Sequence, residues 1–411
     1  MIRASDPSGA RRLRCLAHGL IALGALAAAP LCAQEKSANG VLEGGDFFIN
    51  ARYRAESVEE NGPLRDAFAS TLRTSAGFET NPDLAFSLMA EIEDVHALGS
   101  EKFNSTTNGR TQYSVVADPD GTELNQAYLT WRKSGFRARV GRQALVLDNS
   151  RFIGDVGFRQ NQQTYDSVTL QATTAGGSRF IYDYLWKVHR FLGEDNALGE
   201  LDLKTHVLNY SLGRLNGDRL TAYAYLLEFD DQQTSSTQTF GISYDGSIDI
   251  GTRKLLYRAE YADQSDYADN PGSADAWYGN VEIGLRFARL WTVTAGLEML
   301  SGDGTYGFQT PLATLHKFNG TADIFAVGTP ADGLEDRYLR VYAPIGGARV
   351  TVTWHDFQAD RGGRDYGSEL DAELEWRLNT HWLVGAKYAD YSADSFAIDT
   401  RKVWLWVQAE F

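Results

Sequence analysis

The sequence predicts an all-β fold: a transmembrane antiparallel β-barrel of about 18 strands that follows an N-terminal signal peptide. Three observations lead to it. Apolar and polar residues alternate in about eighteen runs of roughly ten to thirteen residues. The links between these runs are alternately short and long, as in outer-membrane barrels. The chain also ends on an alternating aromatic segment, Val403–Phe411, rather than on a polar tail.

The first residues have the composition of an export signal. A basic segment, Arg11–Arg14, precedes an apolar run that ends in small residues at Ala33. A transmembrane anchor is one alternative, although the run is short and interrupted. A lipid-modified Cys32 is another. We therefore expect a signal peptide at 1–33 and one barrel domain at 34–411.

The composition narrows the class of protein. Both cysteines lie in the expected signal, so the mature chain would hold neither a disulfide nor a thiol. The formal net charge of −15 becomes −18 without residues 1–33, which argues against a nucleic-acid partner. Aromatic residues are abundant, with 20 Tyr, 20 Phe and 9 Trp. After the signal, no apolar run approaches the length of a transmembrane helix.

The alternation assigns one face of each run to lipid and the other to water. In the run that begins at Leu370, Leu and Trp residues alternate with Asp, Glu and Arg. Short links such as Asn216-Gly217 carry turn residues. A soluble β-sandwich or β-helix is the alternative reading. The runs are longer than ordinary strands, and their charged face suits a wet lumen better than a packed core.

The last run explains how the barrel ends. Val403, Leu405 and Val407 share the face expected to contact lipid. The final strand must pair with the first, near Phe47, because hydrocarbon tolerates no unpaired edge. We expect Phe411 to be the terminal aromatic that the barrel-assembly machinery reads. Outer-membrane lipid and lipopolysaccharide are the other expected partners.

Alternation also places a set of cations in the lumen. An arginine fork suits carboxylates, so unpaired arginines at a constriction would attract anions. The alternative, that these charges pair with acids across the lumen, stays open. The cations placed there by alternation are Arg52, Arg54, Arg73, Arg132, Arg137, Arg139, Arg179, Lys187, Lys204, Arg258, Arg286, Arg340, Arg377 and Lys387.

Two stretches resemble a known family. They are GRQALVLDNSRFIGDVGFRQNQQTYDSVTL, from Gly141 to Leu170, and FQTPLATLHKFNGTADIF, from Phe308 to Phe325. Both resemble the alginate export porins of Gram-negative outer membranes. The resemblance implies an eighteen-stranded barrel with loops folded inward. It also implies a selective, arginine-lined constriction suited to a negatively charged uronate chain.

The same resemblance assigns roles to residues of the two stretches. Local pairing in tight turns is the alternative role for them. Arg142, Arg151, Arg159 and Lys317 would line the pore. The expected loop-anchoring residues are Asp148, Asn149, Gln160, Asn161, His316, Asn319 and Asp323.

We therefore expect an outer-membrane channel for an anionic polysaccharide or another anionic or polyhydroxylated solute. A porin for uptake of small organic nutrients is the first alternative, and a non-transporting structural barrel is the second. No nucleophile-elbow or P-loop pattern occurs, and no histidine pair has helical metal-ligand spacing. We expect no catalytic residue, no metal site, no cofactor and no enzymatic activity.

Overall fold

The structure is a computed structural model that describes residues 44–213, 218–287 and 291–411. The expected signal peptide at 1–33 and the expected turn at Asn216-Gly217 lie outside these residues. The described chain forms one sheet of 18 strands.

The strands are between 8 and 15 residues long, enough to cross a bilayer when tilted. The first nine are β1 (Asp46–Glu60), β2 (Ala67–Glu79), β3 (Phe86–Ala97), β4 (Gly121–Lys133), β5 (Phe136–Gln143), β6 (Thr164–Thr173), β7 (Arg179–His189), β8 (Glu200–Ser211) and β9 (Arg219–Leu227). The remaining nine are β10 (Thr237–Ile250), β11 (Arg253–Asp266), β12 (Asp275–Phe287), β13 (Trp291–Leu300), β14 (Leu334–Ile345), β15 (Ala348–Gln358), β16 (Asp365–Arg377), β17 (Trp382–Ala393) and β18 (Thr400–Glu410). Two single-turn 3₁₀ helices, Gln233–Ser235 and Leu315–Lys317, lie in the connections.

The sheet closes on itself. Every strand is antiparallel to its sequence neighbours, and β1 also pairs with β18 from Asn50 opposite Glu410 to Glu60 opposite Thr400. The expected all-β fold, the number of strands and the closure of the last strand on the first are confirmed. Closure pairs the backbone polar groups of both seam strands, as a lipid environment requires.

Polarity is distributed as in a barrel with a wet interior. Large apolar side chains such as Ile283 and Trp354 are exposed on the outer face, with Ile283 58% accessible. Polar residues such as Thr130, Asp183 and Glu260 are buried on the inner face. A soluble sandwich would show the reverse arrangement. The described residues contain no helix of the length and apolarity needed to span a bilayer.

The connections differ sharply between the two ends of the barrel. At one end they are tight turns, such as the Ser134-Gly135 link between β4 and β5. At the other end three long segments, 98–120, 144–163 and 301–333, separate successive strands. In outer-membrane barrels the short turns are periplasmic and the long loops extracellular, which orients this chain.

The three long segments fold into the barrel, and we call them the plug. Phe152, Ile153, Phe308 and Leu312 of the plug belong to one buried cluster with inward-facing residues of the wall. Phe152 packs its ring 5.5 Å from that of Tyr278 on β12. Each such buried side chain contributes about 1.5–3 kcal/mol. The plug is therefore a packed part of the barrel interior.

Candidate functional site: the lumen and its plug

Two segments of the plug are joined backbone to backbone. Ile153 and Leu312 form a parallel bridge, and the Gly154 amide donates to the Leu312 carbonyl at 2.9 Å. The Thr314 amide donates to the Ser150 carbonyl at 3.0 Å. A Cβ at Gly154 would lie 2.2 Å from Thr314 Oγ1, so only glycine permits this approach. Segments 144–163 and 301–333 thus form one unit.

Unusual backbone conformations occur where the two segments meet. Val156, Asn319 and Asp323 all have positive φ, and the value for Val156 is 49°. A β-branched residue rarely adopts this region, so its surroundings must hold it there. The Val156 amide donates to Thr314 Oγ1 at 3.1 Å. Strain of this kind is common in segments shaped for function.

Gln160 and Asn161 connect the plug to its surroundings. Gln160 Nε2 donates to the carbonyl and the hydroxyl of Thr71 on β2, at 3.2 and 2.9 Å. Arg52 Nε on β1 donates to Gln160 Oε1 at 2.9 Å. Asn161 Nδ2 donates to the Pro119 carbonyl at 3.2 Å. These bonds tie segment 144–163 to the wall and to segment 98–120.

Asp148 and Asn149 differ in what they reach. Asp148 accepts a 2.7 Å bond from Asn209 Nδ2 on β8, so it contacts the barrel wall. Asn149 accepts from the Arg151 amide at 3.1 Å, which makes it a local turn residue.

Buried ion pairs neutralise Arg159 and Arg54 at the plug. Arg159 contacts Glu56 on β1 at 3.2 Å and Asp323 at 2.9 Å. Arg54, only 1% exposed, pairs with Asp118 of segment 98–120. Because each of these guanidinium groups faces a carboxylate, it holds the plug in place and offers little free positive charge.

Two more of the expected pore arginines are paired. Arg151 Nε lies 3.0 Å from Glu298 Oε1 on β13, and Arg151 also donates to Asn319 Oδ1 at 3.2 Å. Arg73 on β2 lies 2.5 Å from Glu93 on β3. The alternative of charge pairing across the lumen describes these residues.

His316 links the plug to strand β17 of the barrel wall. Its ring stacks on Phe158 with centroids 3.8 Å apart, and Lys387 Nζ on β17 donates to His316 Nε2 at 3.1 Å. Burial and the charge of Lys387, despite the opposing Asp323, lower the pKa of His316 to about 3. The neutral ring therefore donates from Nδ1 to Asp323 Oδ1 at 2.8 Å. Burial raises the pKa of Asp323, but the hydrogen bond from His316 and the charges of Lys402 and Arg159 outweigh it and hold that pKa well below its usual range.

One group of arginines differs from those at the plug. Arg132 on β4, Arg137 and Arg139 on β5 and Arg179 on β7 face the lumen towards the short-turn end, and we call them the arginine row. Arg132 and Arg137 are direct cross-strand partners. Within the described chain, no member of the row lies within 4.0 Å of a carboxylate oxygen.

The partners of the row are neutral. Arg137 donates to Gln171 Oε1 at 2.7 Å, and Arg132 donates to Ser87 Oγ at 2.7 Å. Arg139 Cζ lies 4.0 Å from the ring centroid of Tyr128. These contacts orient the guanidinium groups. The carboxylate of Asp183, on the inner face of β7, acts on the charges of Arg137 and Arg139 from beyond ion-pair distance.

The wall across the lumen from the row carries acids. A cavity of about 710 Å³ is lined there by Glu282, Glu298, Asp336, Asp371 and Glu373, among others. By strand order, β12 to β16 lie opposite β4 to β7. The same cavity is also lined by Arg258, Lys317, Arg340 and Lys387, and several of its acids are paired, as Glu373 is with Lys387 at 3.1 Å. The wall opposite the row therefore carries charges of both signs.

The other expected lumen cations are dispersed. Arg258 pairs with Glu260 at 2.6 Å, and Arg340 lies 3.7 Å from Glu282. Lys317 donates to Ser150 Oγ at 3.2 Å and lines the 710 Å³ cavity. Arg286 lies at the short-turn end of β12, apart from the row.

Three expected lumen cations lie on the outer face. Lys204 is exposed on β8 and pairs with Asp230 at 2.7 Å. The register shifts between Leu185 and Lys187, which reverses the alternation and sets Lys187 opposite the exposed Asp202. Arg142 shares its face with the exposed Val140, and it pairs with Asp166 at 2.9 Å. The expectation that Lys187, Lys204 and Arg142 line the pore is wrong. Alternation of apolar and polar residues along the sequence does not reveal a β-bulge, which reverses the two faces beyond it.

Some lumen residues were not singled out from the sequence. Glu56 and Asp118 are the carboxylates that neutralise Arg54 and Arg159. Alternation does place Glu56 in the lumen, but Asp118 lies in a loop and carries no periodic signal. Arg190, beyond the end of β7, was missed for the same reason.

Comparisons with known proteins agree with this architecture. A family model described as alginate export matches residues 46–328. No curated protein sequence matches the chain.

Among solved structures, OpdO of Pseudomonas aeruginosa has a TM-score of 0.72 at 14% identity, covering 90% of this chain and 98% of that one. OccAB4 of Acinetobacter baumannii has a TM-score of 0.71 at 14% identity, with 89% and 98% covered. OpdK of Pseudomonas aeruginosa, solved with vanillate, has a TM-score of 0.70 at 16% identity, with 90% and 100% covered. At these identities the likeness shows the fold alone.

Proposed function

This chain belongs to the alginate export family, and from that premise we propose that it passes an anionic solute across the outer membrane along the arginine row. The family and the structural neighbours are outer-membrane channel proteins rather than enzymes. The chemical class of the solute is the proposal. The observation that carries it is that Arg132, Arg137, Arg139 and Arg179 face the lumen with no ion-pair partner among the described residues.

The row supports an anionic solute through its geometry. Successive guanidinium groups on neighbouring strands would give a carboxylate several equivalent partners as it moves. Binding at each would be favourable enough to admit the solute and weak enough to release it. Because neighbouring arginines repel one another, an arriving anion also relieves their repulsion.

The contrast between the two walls supports a directed path. Acids and bases are largely paired on β12 to β16, whereas the arginines of the row have no ion-pair partner, and low-dielectric walls concentrate the field of unpaired charges. An anion would therefore follow β4, β5 and β7. A solute without charge would gain nothing from this arrangement.

The plug supports a small solute. The lumen cavity of about 710 Å³ lies within the range of small-molecule sites. A polymer would need a continuous passage, so segments 144–163 and 301–333 would have to separate. An anionic polysaccharide is the second candidate, and the family match favours it.

Liposome swelling tests whether the channel prefers anionic solutes. Gluconate and sorbitol are similar in size and differ in charge, so their relative entry reports charge selection. We expect wild-type protein to admit gluconate faster than sorbitol. Arg137→Gln/Arg139→Gln should remove most of this preference. The matched control Lys204→Gln/Arg337→Gln removes two exposed cations from the outer face and should change nothing.

Two results would count against the proposal. One is faster entry of sorbitol than of gluconate in wild type, and the other is an unchanged preference in the row variant. A uronate oligomer trapped in the liposomes decides between the candidates. Its release through wild-type protein would favour the polysaccharide, and its retention would favour the small solute.

A further inference from the structure

A second cavity of about 840 Å³ opens at the long-loop end of the barrel. Much of its lining is apolar and includes Phe191, Leu198, Phe229, Phe325 and Val327. Val327 is 98% exposed and Leu198 41% exposed, so unoccupied apolar surface faces this space. A cavity of this size and polarity suits a small ligand with a hydrophobic body.

Four cations also line this cavity, and three of them are engaged by carboxylates. Arg151 pairs with Glu298, and Arg159 pairs with Glu56 and Asp323. Lys402 Nζ lies 3.5 Å from Asp323.

Arg190 is the fourth cation, and it has no carboxylate. In the part of the chain that the structure describes, its guanidinium makes no ion pair. Its Nε is buried without a hydrogen-bond partner, and its Cζ lies 6.0 Å from the ring centroid of Phe191. Burial lowers the pKa of Arg190, although the guanidinium remains charged at neutral pH. Arg190 is partly buried and has no counter-ion, so a bound anion would offset the cost of desolvating its charge.

The backbone around Arg190 is held firmly. The Arg190 amide donates to the Gly199 carbonyl at 2.6 Å, and the Gly193 amide donates to the Arg190 carbonyl at 3.2 Å. Leu203 and Phe229 form a bridge that fixes the neighbouring wall. The guanidinium is therefore presented by an ordered turn, which lowers the entropic cost of binding.

We propose that this cavity is an external capture site for a small monocarboxylate with an apolar body, in which Arg190 pairs with the carboxylate. Phe191, Phe229 and Leu198 hold the hydrocarbon or aromatic portion. The site rests on the proposed channel function and narrows its substrate class from anions in general to amphiphilic carboxylic acids. A polyuronate is hydroxylated over its whole length and would leave the apolar walls without a partner.

Calorimetric titration of the full barrel in lipid nanodiscs tests the site, with benzoate as the probe and empty nanodiscs subtracted. We expect benzoate to bind wild-type protein and Arg190→Gln to raise its Kd about tenfold or more, because a charge-assisted bidentate pair is lost. Benzamide has the same ring without the charge, so its weaker binding should be equal in both proteins. Lys204→Gln removes an exposed outer cation and should bind benzoate as wild type does.

Three outcomes would overturn the capture site: no benzoate binding to wild type, an equal benzoate Kd in wild type and Arg190→Gln, or tighter binding of a diuronate than of benzoate. Heat-modifiable migration in electrophoresis confirms that Arg190→Gln is folded. The channel proposal fails separately, because gluconate entry depends on Arg137 and Arg139 and not on Arg190.

Discussion

Phe411 and Ile49 exchange two backbone hydrogen bonds across the seam of the barrel. The Ile49 amide donates to the Phe411 carbonyl at 3.0 Å, and the Phe411 amide donates to the Ile49 carbonyl at 2.9 Å. Phe411 is therefore a rung of the closing ladder. Its amide and carbonyl are paired across the seam and are not left exposed to lipid.

Replacing Phe411 with alanine distinguishes two roles of this residue, closure of the barrel seam and recognition by the assembly machinery. The seam bonds of Phe411 are backbone bonds. Its ring stacks on His381 with centroids 5.2 Å apart and meets the ring of Trp382 edge-on at 6.3 Å. We expect Phe411→Ala to refold in lipid vesicles as wild type does. Its level in the outer membrane of cells should fall several-fold, because the assembly machinery would lose its terminal aromatic.

Phe47→Ala is the control for this experiment, since Phe47 is a highly exposed aromatic on β1, the strand that pairs with β18. It should reach the membrane normally. Equal membrane levels of the two variants would contradict the role given to the terminal ring.

Removal of Arg159 should loosen the plug. Arg159→Ala leaves Glu56 and Asp323 buried without this partner, and breaking a buried pair costs about 3–5 kcal/mol. We expect faster amide hydrogen exchange in segment 144–163 and more frequent large openings in single-channel records. Arg337→Ala, at an exposed position, should change neither.

A second substitution checks the cause of this loosening. Glu56→Gln in the Arg159→Ala background removes the stranded charge and should restore part of the protection. Faster exchange in the double variant than in the single one would show that uncompensated charge is not the reason.

The sequence was sufficient for the barrel because alternation repeats in every strand. The run beginning at Leu370 is apolar at alternate positions, and the structure exposes Leu370 and Leu374 on the outer face of β16. Strand length and turn residues reinforce the same answer. The plug could be expected only from the resemblance, since its segments follow no period that sets their path.

Acid should destabilise the plug through His316. Its pKa is about 3 in the folded chain and about 6.5 when exposed, so its contribution to stability is complete above pH 6.5. That contribution is lost progressively as the pH falls from 6.5 towards 3, and the loss amounts to about 2 kcal/mol at pH 5. Asp323, whose pKa is held well below its usual range, stays ionised at pH 5 and adds no slope there.

Hydrogen exchange of segment 301–333 between pH 7 and pH 5, corrected for the intrinsic rate, measures this slope. Wild-type protection should decrease on acidification, and His316→Gln should remove the decrease. His381→Gln, at an exposed position, should keep the wild-type slope. A slope that survives in His316→Gln would assign it to another group.

The lumen was less predictable from sequence than the wall. Parity placed Arg137 and Arg139 correctly on the inner face of β5, where no bulge intervenes. The same alternation assigned Lys187 to the wrong face, because a register shift in β7 exchanges its inner and outer faces. Parity also cannot show that Arg73 meets Glu93 whereas Arg139 meets no acid, since that depends on register between strands.

The outward position of Lys187 and Arg142 has a testable consequence. Lys187 pairs with Glu200 and Asp202 on the outer face, far from any solute in the lumen. Lys187→Gln and Arg142→Gln should leave the chloride-to-potassium permeability ratio within error of wild type. Arg139→Gln, a change of equal charge on the inner face, should lower it. A decrease as large in Lys187→Gln would place that side chain in the pore.

The reversal potential of the wild-type channel across a potassium chloride gradient in a planar bilayer tests the central claim most directly. We expect the wild-type channel to prefer chloride. The chloride-to-potassium permeability ratio should fall to one or below in Arg137→Gln/Arg139→Gln. A wild-type channel that prefers potassium would contradict the claim that the arginine row sets the path of the solute.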